Sequence, residues 1–103
     1  MIIQWTQKAE NQLDTIFEFI KVENEISAYR IYNQILDEVE LLMEYPNIAP
    51  VEPLLKDFPI THRSLLVNRK YKVVYFVKGK VIYIVAVFDC RQNPYKLIKL
   101  LNK

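Results

Sequence analysis

The stretch Arg63-Ser-Leu-Leu-Val-Asn-Arg-Lys-Tyr-Lys-Val-Val-Tyr-Phe-Val-Lys-Gly-Lys-Val-Ile-Tyr-Ile-Val-Ala-Val-Phe-Asp-Cys-Arg-Gln-Asn-Pro94 decides the fold. Val, Ile, Tyr and Phe dominate it, and these residue types favour strands. Two polar breaks, at residues 68–69 and 78–80, have the composition of tight turns. The stretch therefore predicts three antiparallel strands, at about 63–67, 70–77 and 80–89.

Two amphipathic helices are predicted before these strands. Apolar residues recur at helical spacing in residues 9–20 and again in residues 28–43. The pattern predicts one helix over about 7–22 and a second that ends at Tyr45, because Pro46 disfavours helix in the residue before it. Since only a short break separates the two helices, we expect an antiparallel helical hairpin.

The remaining segments complete an α+β domain. Residues 2–5 favour a short first strand. Residues 46–62 hold four of the five prolines and predict a stiff, irregular crossing, either a strap or a functional loop. The apolar tail after Pro94 fits a helix or an edge strand equally well. The predicted order is β-α-α-β-β-β in one domain over residues 1–103, with an antiparallel sheet and the hairpin packed on one face.

Composition excludes several classes of site. One glycine rules out a glycine-rich phosphate loop, and one cysteine rules out an internal disulfide. One histidine and one cysteine cannot make a zinc site, so no metal or cofactor is expected. No signal peptide or membrane-spanning run is evident, which predicts a soluble, cytoplasmic protein. The net charge of +2 permits a polyanionic partner without requiring one.

Strand register predicts a basic surface. With two-residue turns, Arg63 lies opposite Val74, and Arg63, Lys72 and Arg91 then share the sheet face that points away from the helices. Tyr83 joins them there. Such a face suits a polyanion or an acidic and apolar partner chain. The alternative interpretation is that these cations are solvated or paired with carboxylates.

Three other reactive side chains have simpler structural interpretations. His62 stands alone beside the proline-rich segment and fits a packing or surface histidine. Cys90 has no base nearby in sequence to activate it. Tyr95 is a candidate acid or base, although an aromatic that anchors the C-terminal tail is the simpler interpretation.

The order of motifs along nearly the whole chain resembles the RelE/ParE superfamily, the toxins of bacterial type II toxin–antitoxin systems. The motifs that carry the resemblance are Trp5-Thr6, Ala9-x3-Leu13-x2-Ile16-Phe17, a second helix ending in Tyr45-Pro46, Arg63-x-Leu65-x-Val67, Tyr71-Lys72-Val-Val-Tyr75 and Asp89-x-Arg91-Gln-Asn-Pro94. The resemblance implies the same β-α-α-β-β-β fold that the hydrophobic patterns predict.

The resemblance implies one of two mechanisms. RelE-like members cut messenger RNA on the ribosome, a reaction that needs an acid, a base and cations at the phosphate. In that case Arg63, Lys72, Arg91 and Tyr95 are the candidate catalytic residues. ParE-like members instead poison DNA gyrase and need no nuclease site. The Arg-Gln-Asn-Pro ending, the modest charge and the lack of a histidine after Arg91 favour the ParE-like branch.

Either branch implies a protein partner. A small antitoxin should wrap the toxin and fold on binding, and the apolar tail at Leu97, Ile98, Leu100 and Leu101 is one expected contact, unless it packs only on its own core. A homodimer or a toxin–antitoxin hetero-oligomer is compatible with this. A third hypothesis is a non-toxic binding module that retains the fold, because fold alone does not determine activity.

Overall fold

A computed structural model describes residues 1–101. Its regular elements are β1 (Ile2–Trp5), α1 (Gln7–Glu23), α2 (Glu25–Glu40), β2 (Arg63–Val67), β3 (Tyr71–Lys78), β4 (Val81–Asp89) and α3 (Tyr95–Leu101). Short 3₁₀ turns cover Leu41–Met43 and Pro53–Leu55. Among the described residues, no helix is long and apolar enough to cross a membrane.

A side-chain cap starts each helix of the hairpin. Thr6 Oγ1 accepts a hydrogen bond from Ala9 N at 3.2 Å and starts α1. Asn24 alone separates the helices, and its Oδ1 accepts from Ser27 N at 3.0 Å to start α2. The second helix ends at Glu40 rather than at Tyr45, because the chain tightens there into a 3₁₀ turn.

The four strands form one sheet in the order β1-β4-β3-β2. β3 is antiparallel to both β2 and β4, and β1 lies parallel to β4. The parallel pair is possible because the helical hairpin carries the chain from the end of β1 back across the sheet. The predicted α+β fold is confirmed, with this parallel pair as an added feature.

The sheet is covered on both faces. The hairpin buries Leu13 and Ile35 against Val73, Tyr75 and Ile84 on the first face. The second face is partly covered by α3 and by the 3₁₀ turn at residues 53–55. Its buried cluster is Leu55, Val74, Ala86, Phe88 and Leu97. The C-terminal tail is thus a helix that packs on its own domain, which decides between the two structures predicted for it.

The first turn overturns the predicted register. Val67 pairs with Tyr71, so three residues rather than two connect β2 to β3. Asn68 and Arg69 both adopt left-handed φ, at 53° and 58°, and Lys70 N donates to Val67 O at 3.2 Å. The extra residue shifts the strand by one position, and a shift by one exchanges the two faces. Arg63 therefore lies opposite Tyr75, on the helix side.

A β-bulge overturns the prediction for Arg91. Tyr75 pairs with Ile84 and Val74 pairs with Ala86, which leaves Val85 as an extra residue in β4. Beyond the bulge, odd-numbered Val87 packs in the helix-side cluster, and Asp89 lies opposite Tyr71. The end of β4 thus points its odd-numbered side chains toward the hairpin.

The prediction that Arg63, Lys72 and Arg91 share one face is wrong for these two reasons. Lys72 remains on the second face, whereas Arg63 lies on the first. Arg63 and the end of β4 are also separated along the sheet, because their partners Tyr75 and Tyr71 are four residues apart, or about 13 Å at strand spacing.

The proline-rich segment is a strap fixed to the edge of β2. Val51 forms an isolated bridge to Arg63. Ser64 N donates to Pro50 O at 3.0 Å, and Glu52 N donates to His62 O at 2.9 Å. These bonds extend the sheet locally by one short segment, and they favour the strap over the functional loop.

Candidate functional site

Lys72 forms a partly buried ion pair with a glutamate of the strap. Its Nζ donates to Glu52 Oε1 at 2.7 Å, and the Glu52 side chain is only 1% exposed. The same carboxylate accepts from Ser64 Oγ at 2.7 Å and from Leu54 N at 3.0 Å. The ammonium charge of Lys72 is therefore neutralised by a carboxylate of its own chain.

The hydrogen bonds to Glu52 keep its carboxylate ionised although the side chain is buried. Burial raises the pKa of this carboxyl, but the bonds from Lys72, Leu54 N and Ser64 outweigh it, and the pKa lies below its usual value. A charged glutamate at 1% exposure requires such partners, because burying an unpaired carboxylate would cost on the order of several kcal/mol.

Arg63 holds the strap from the other face of the sheet. Its Nη1 donates to Ala49 O at 2.8 Å. Nearby, the Tyr75 hydroxyl donates to Pro46 O at 2.7 Å. Both bonds satisfy carbonyl groups of an irregular segment that has no ladder partners there. The guanidinium of Arg63 thus has a structural role where the sequence suggested a phosphate contact.

Arg91 follows β4 and is held by Asp89. Its Nε donates to Oδ1 at 3.0 Å and its Nη2 donates to Oδ2 at 2.7 Å, which is a two-pronged ion pair. The hydrogen bond from Arg91 is the largest cause that lowers the pKa of Asp89 below its usual value. The pair fixes the direction of Arg91 toward the hairpin end of the molecule.

Tyr95 is the first residue of α3 and is 66% exposed. The backbone N of Tyr95 donates to Asn93 Oδ1 at 3.0 Å, so the Asn93 side chain caps the start of α3. The Tyr95 ring has no part in this cap. The four candidate catalytic residues thus have four different environments: a partly buried ion pair, a strap anchor, a surface ion pair and an exposed helix start.

His62 and Cys90 are not arranged as nucleophile and base. His62 is 7% exposed and its ring packs edge-on against Phe58 and Phe76. Burial lowers the pKa of His62, and its contact with Ile60 O offsets this only in part. Cys90 is an exposed residue, but partial desolvation still raises the pKa of its thiol, which disfavours the thiolate. Within residues 1–101, no group of three metal-binding side chains is found.

The comparisons with known proteins agree on one family. The family profile described as ParE toxin of type II toxin–antitoxin system, parDE, matches residues 3–94. This chain belongs to the ParE toxin family. A solved structure of the chromosomal ParDE TA system from P. aeruginosa is 27% identical, with a TM-score of 0.72, and the alignment covers 86% of this chain and 95% of that chain. A search of curated proteins found no match.

This ParE-family chain exposes an apolar ridge at the tip of its helical hairpin. The ridge comprises Phe19 (70% exposed), Val22 (88%), Ile26 (78%) and Tyr29 (49%). Each is large and apolar, and together they face water at the junction of α1 and α2. Phe19 and Tyr29 line different clefts, and Val22 and Ile26 lie between them in sequence at the junction. Large exposed apolar side chains at one end of a soluble protein are a candidate interaction surface.

Sequence analysis missed two of these features. The ridge has a signal, because Phe19 and Val22 are apolar residues outside the stripe that defines the buried side of α1. Nothing in the local sequence indicates that Glu52 is buried, since a single glutamate in a proline-rich segment normally faces water. Its burial depends on Lys72 and Ser64, which follow it by 20 and 12 residues.

Proposed function

We propose that this ParE-family toxin inhibits growth by poisoning DNA gyrase and that a small antitoxin protein neutralises it. Family membership supports the toxin role. The choice of gyrase over messenger RNA depends on one observation, the pairing of Lys72 with buried Glu52 at 2.7 Å. Cleavage of RNA needs cations that are free to stabilise the charge on the reacting phosphate.

The other two candidate cations support the same choice. Arg91 is paired with Asp89, and Arg63 donates to the Ala49 carbonyl. Asp89 thus offsets the charge of Arg91, and Arg63 is used to hold the strap. The net charge of +2 is also small for a protein that must bind ribosomal RNA by its phosphates. A gyrase poison needs a protein-binding surface instead, and requires none of these residues as a catalyst.

The apolar ridge is the surface that we assign to the antitoxin. Val22 and Ile26 are the most exposed large apolar residues of the hairpin, at 88% and 78%. An antitoxin segment that folds on binding would cover such side chains and remove them from water. The C-terminal helix α3 is a weaker candidate for this contact, because Leu97 is already buried in the second cluster of the sheet.

Supercoiling by purified gyrase tests the proposed target. Toxin should inhibit supercoiling of relaxed plasmid, and pre-incubation with the antitoxin encoded in the neighbouring reading frame should restore it. Tyr95→Phe is the informative variant, because it removes only an exposed hydroxyl. We expect it to inhibit gyrase as the parent does. Undisturbed supercoiling at micromolar toxin would overturn the proposal.

Primer extension on translated messages tests the ribonuclease alternative on the same protein. The proposal predicts intact messages. Cuts in ribosome-bound message that disappear in Arg91→Ala and in Tyr95→Phe would instead establish a ribonuclease and assign both residues to its site. If neither assay responds and induced expression leaves growth unchanged, the protein is a binding module with a toxin fold.

A further inference from the structure

A polar cleft lies at the hairpin end of the molecule, apart from the strap and its ion pair. It has a volume of about 250 Å³ and is bounded by α1, α2, the β2–β3 turn and the end of β4. Three separate segments each contribute one cation to it. These are Arg30 from α2, Lys70 from the turn and Arg91 after β4. Within the described chain, the only carboxylate in its lining is Glu23.

Two of the three cations have no carboxylate partner among residues 1–101. The ion pairs found in that part of the chain are Glu52–Lys72 and Asp89–Arg91, so neither Arg30 nor Lys70 is in an ion pair, although the charge of Lys70 helps to lower the pKa of Asp89. Arg30 uses only Nη2, which donates to Ser27 Oγ at 3.3 Å. Arg91 uses Nε and Nη2 on Asp89, which leaves Nη1 as a donor. Like charges from three segments face one cavity without full compensation, and an anion would remove that repulsion.

Neutral donors also line the cleft, together with the apolar residues Phe19, Ile20 and Ile31. Asn68 is held in a left-handed conformation in the turn, and Ser27 lies in the first turn of α2. Tyr71 also lines the cleft and is 3% exposed. Burial raises the pKa of Tyr71 and the charge of Arg91 partly opposes this, so the phenol stays protonated and can donate.

We propose that this cleft binds a phosphate group. A carboxylate is satisfied by one guanidinium, as Asp89 already is by Arg91. A phosphate presents several acceptor oxygens, and phosphate esters and free phosphate are anionic at neutral pH, so donors that approach from three segments match it better. Two sources carry such a group, the backbone of a nucleic acid strand and a free phosphate or nucleotide. The proposal does not depend on the target of the toxin.

Titration of the full-length, ¹⁵N-labelled protein with inorganic phosphate tests this directly. Ionic strength is held constant with chloride. We expect amide shifts confined to the cleft residues, including Ser27, Asn68, Lys70 and Tyr71. The double variant Arg30→Gln/Lys70→Gln should bind at least about tenfold more weakly, because each substitution removes a charge-assisted bond. Both side chains are exposed, so the variant should fold.

The matched control removes two charges elsewhere. Lys56 and Lys80 are exposed and lie outside the cleft, so Lys56→Gln/Lys80→Gln has the same net charge as the test variant. It should bind phosphate as the parent does. If the shifts are absent, or if both double variants weaken binding equally, the site is no more than general surface charge and the proposal is wrong.

Two further probes identify the source of the phosphate. If a short DNA duplex binds the parent, the slope of log affinity against log salt should fall in magnitude by about 0.9 for each phosphate contact that Arg30→Gln/Lys70→Gln removes. Binding of inorganic phosphate without binding of DNA would support a free phosphate or nucleotide. Binding of a glutamate-rich peptide without any response to phosphate or DNA would overturn the proposal, because the cleft would then be a carboxylate site.

Discussion

The Nζ atom of Lys72 lies 2.7 Å from Oε1 of Glu52, and the pair joins the proline-rich strap to the centre of the sheet. The glutamate is almost fully buried, whereas the lysine side chain is 29% exposed. One carboxylate thus holds a lysine of β3, a serine of β2 and a backbone amide of the strap. This contact links the stability of the strap to the charge of a residue that a nuclease would need.

Glu52→Gln should destabilise the protein by roughly 1–3 kcal/mol, because it leaves a lysine and a strap amide competing for one neutral acceptor. Urea unfolding followed by circular dichroism measures the change. Glu18→Gln is the matched control, because Glu18 is an exposed helix residue. It should change the free energy of unfolding by less than about 0.5 kcal/mol. Equal effects of the two variants would contradict a structural role for Glu52.

Stability should fall in two stages on acidification. The pKa of His62 is lowered from its ordinary 6.5 by burial, so the unfolded chain binds a proton first, and stability is lost as pH falls from about 6.5 through the folded value. The pKa of Glu52 is lowered from 4.5 in spite of its burial, through bonds to Lys72, Leu54 N and Ser64, so its contribution is lost below that pH.

Urea unfolding at a series of pH values checks both stages. His62→Phe should flatten the first stage and leave the second, because it places a ring that does not titrate beside Phe58 and Phe76. Glu52→Gln should reduce the second stage and leave the first. What remains of the second stage is expected from Asp89, whose pKa is also lowered. A first stage that persists in His62→Phe would assign it to another group.

Arg69→Gly should stabilise the protein by about 0.5–1 kcal/mol, because Arg69 has a φ of 58° and left-handed backbone is strained for residues with a Cβ. Thermal unfolding measures the gain. Lys80→Gly serves as the control, since Lys80 is also an exposed turn residue but has no positive φ. That variant should be neutral or slightly destabilised. A loss of stability in Arg69→Gly would contradict the turn conformation.

Replacement of the apolar ridge should separate binding from folding. Val22→Ser/Ile26→Ser should unfold within about 0.5 kcal/mol of the parent, because both side chains already face water. Its affinity for the antitoxin of the neighbouring reading frame should fall by at least about tenfold. Calorimetry with the purified antitoxin measures this. Unchanged affinity would place the antitoxin on another surface.

The sequence predicted the elements well because each has a strong local pattern. The hydrophobic stripes located α1 and α2, and β-branched and aromatic residues located β2 at 63–67 and β1 at 2–5 with the bounds that the structure has. The end of α2 was placed too late. Pro46 limits where a helix stops, but nothing in the local pattern indicated the earlier 3₁₀ turn at Leu41–Met43.

The arrangement of the candidate site was not predictable in the same way. It depended on whether odd- or even-numbered residues of each strand share a face. Turn lengths and bulges determine this. No glycine marks either irregularity. Arg69 takes a left-handed conformation that its residue type disfavours, and the bulge at Val85 precedes a Val87 amide that donates to Gln12 Oε1 at 2.8 Å, from 75 residues away. Tertiary contacts of this range leave no trace in a local pattern.

The most direct test of the account is to measure cleaved DNA in a gyrase reaction. Purified gyrase, plasmid and toxin are incubated with ATP, the reaction is stopped with detergent and protease, and linear plasmid is quantified on a gel. We expect linear DNA to accumulate with toxin concentration and to disappear when antitoxin is added first. Absence of linear DNA together with undisturbed supercoiling, from a toxin preparation that arrests growth on expression, would contradict it.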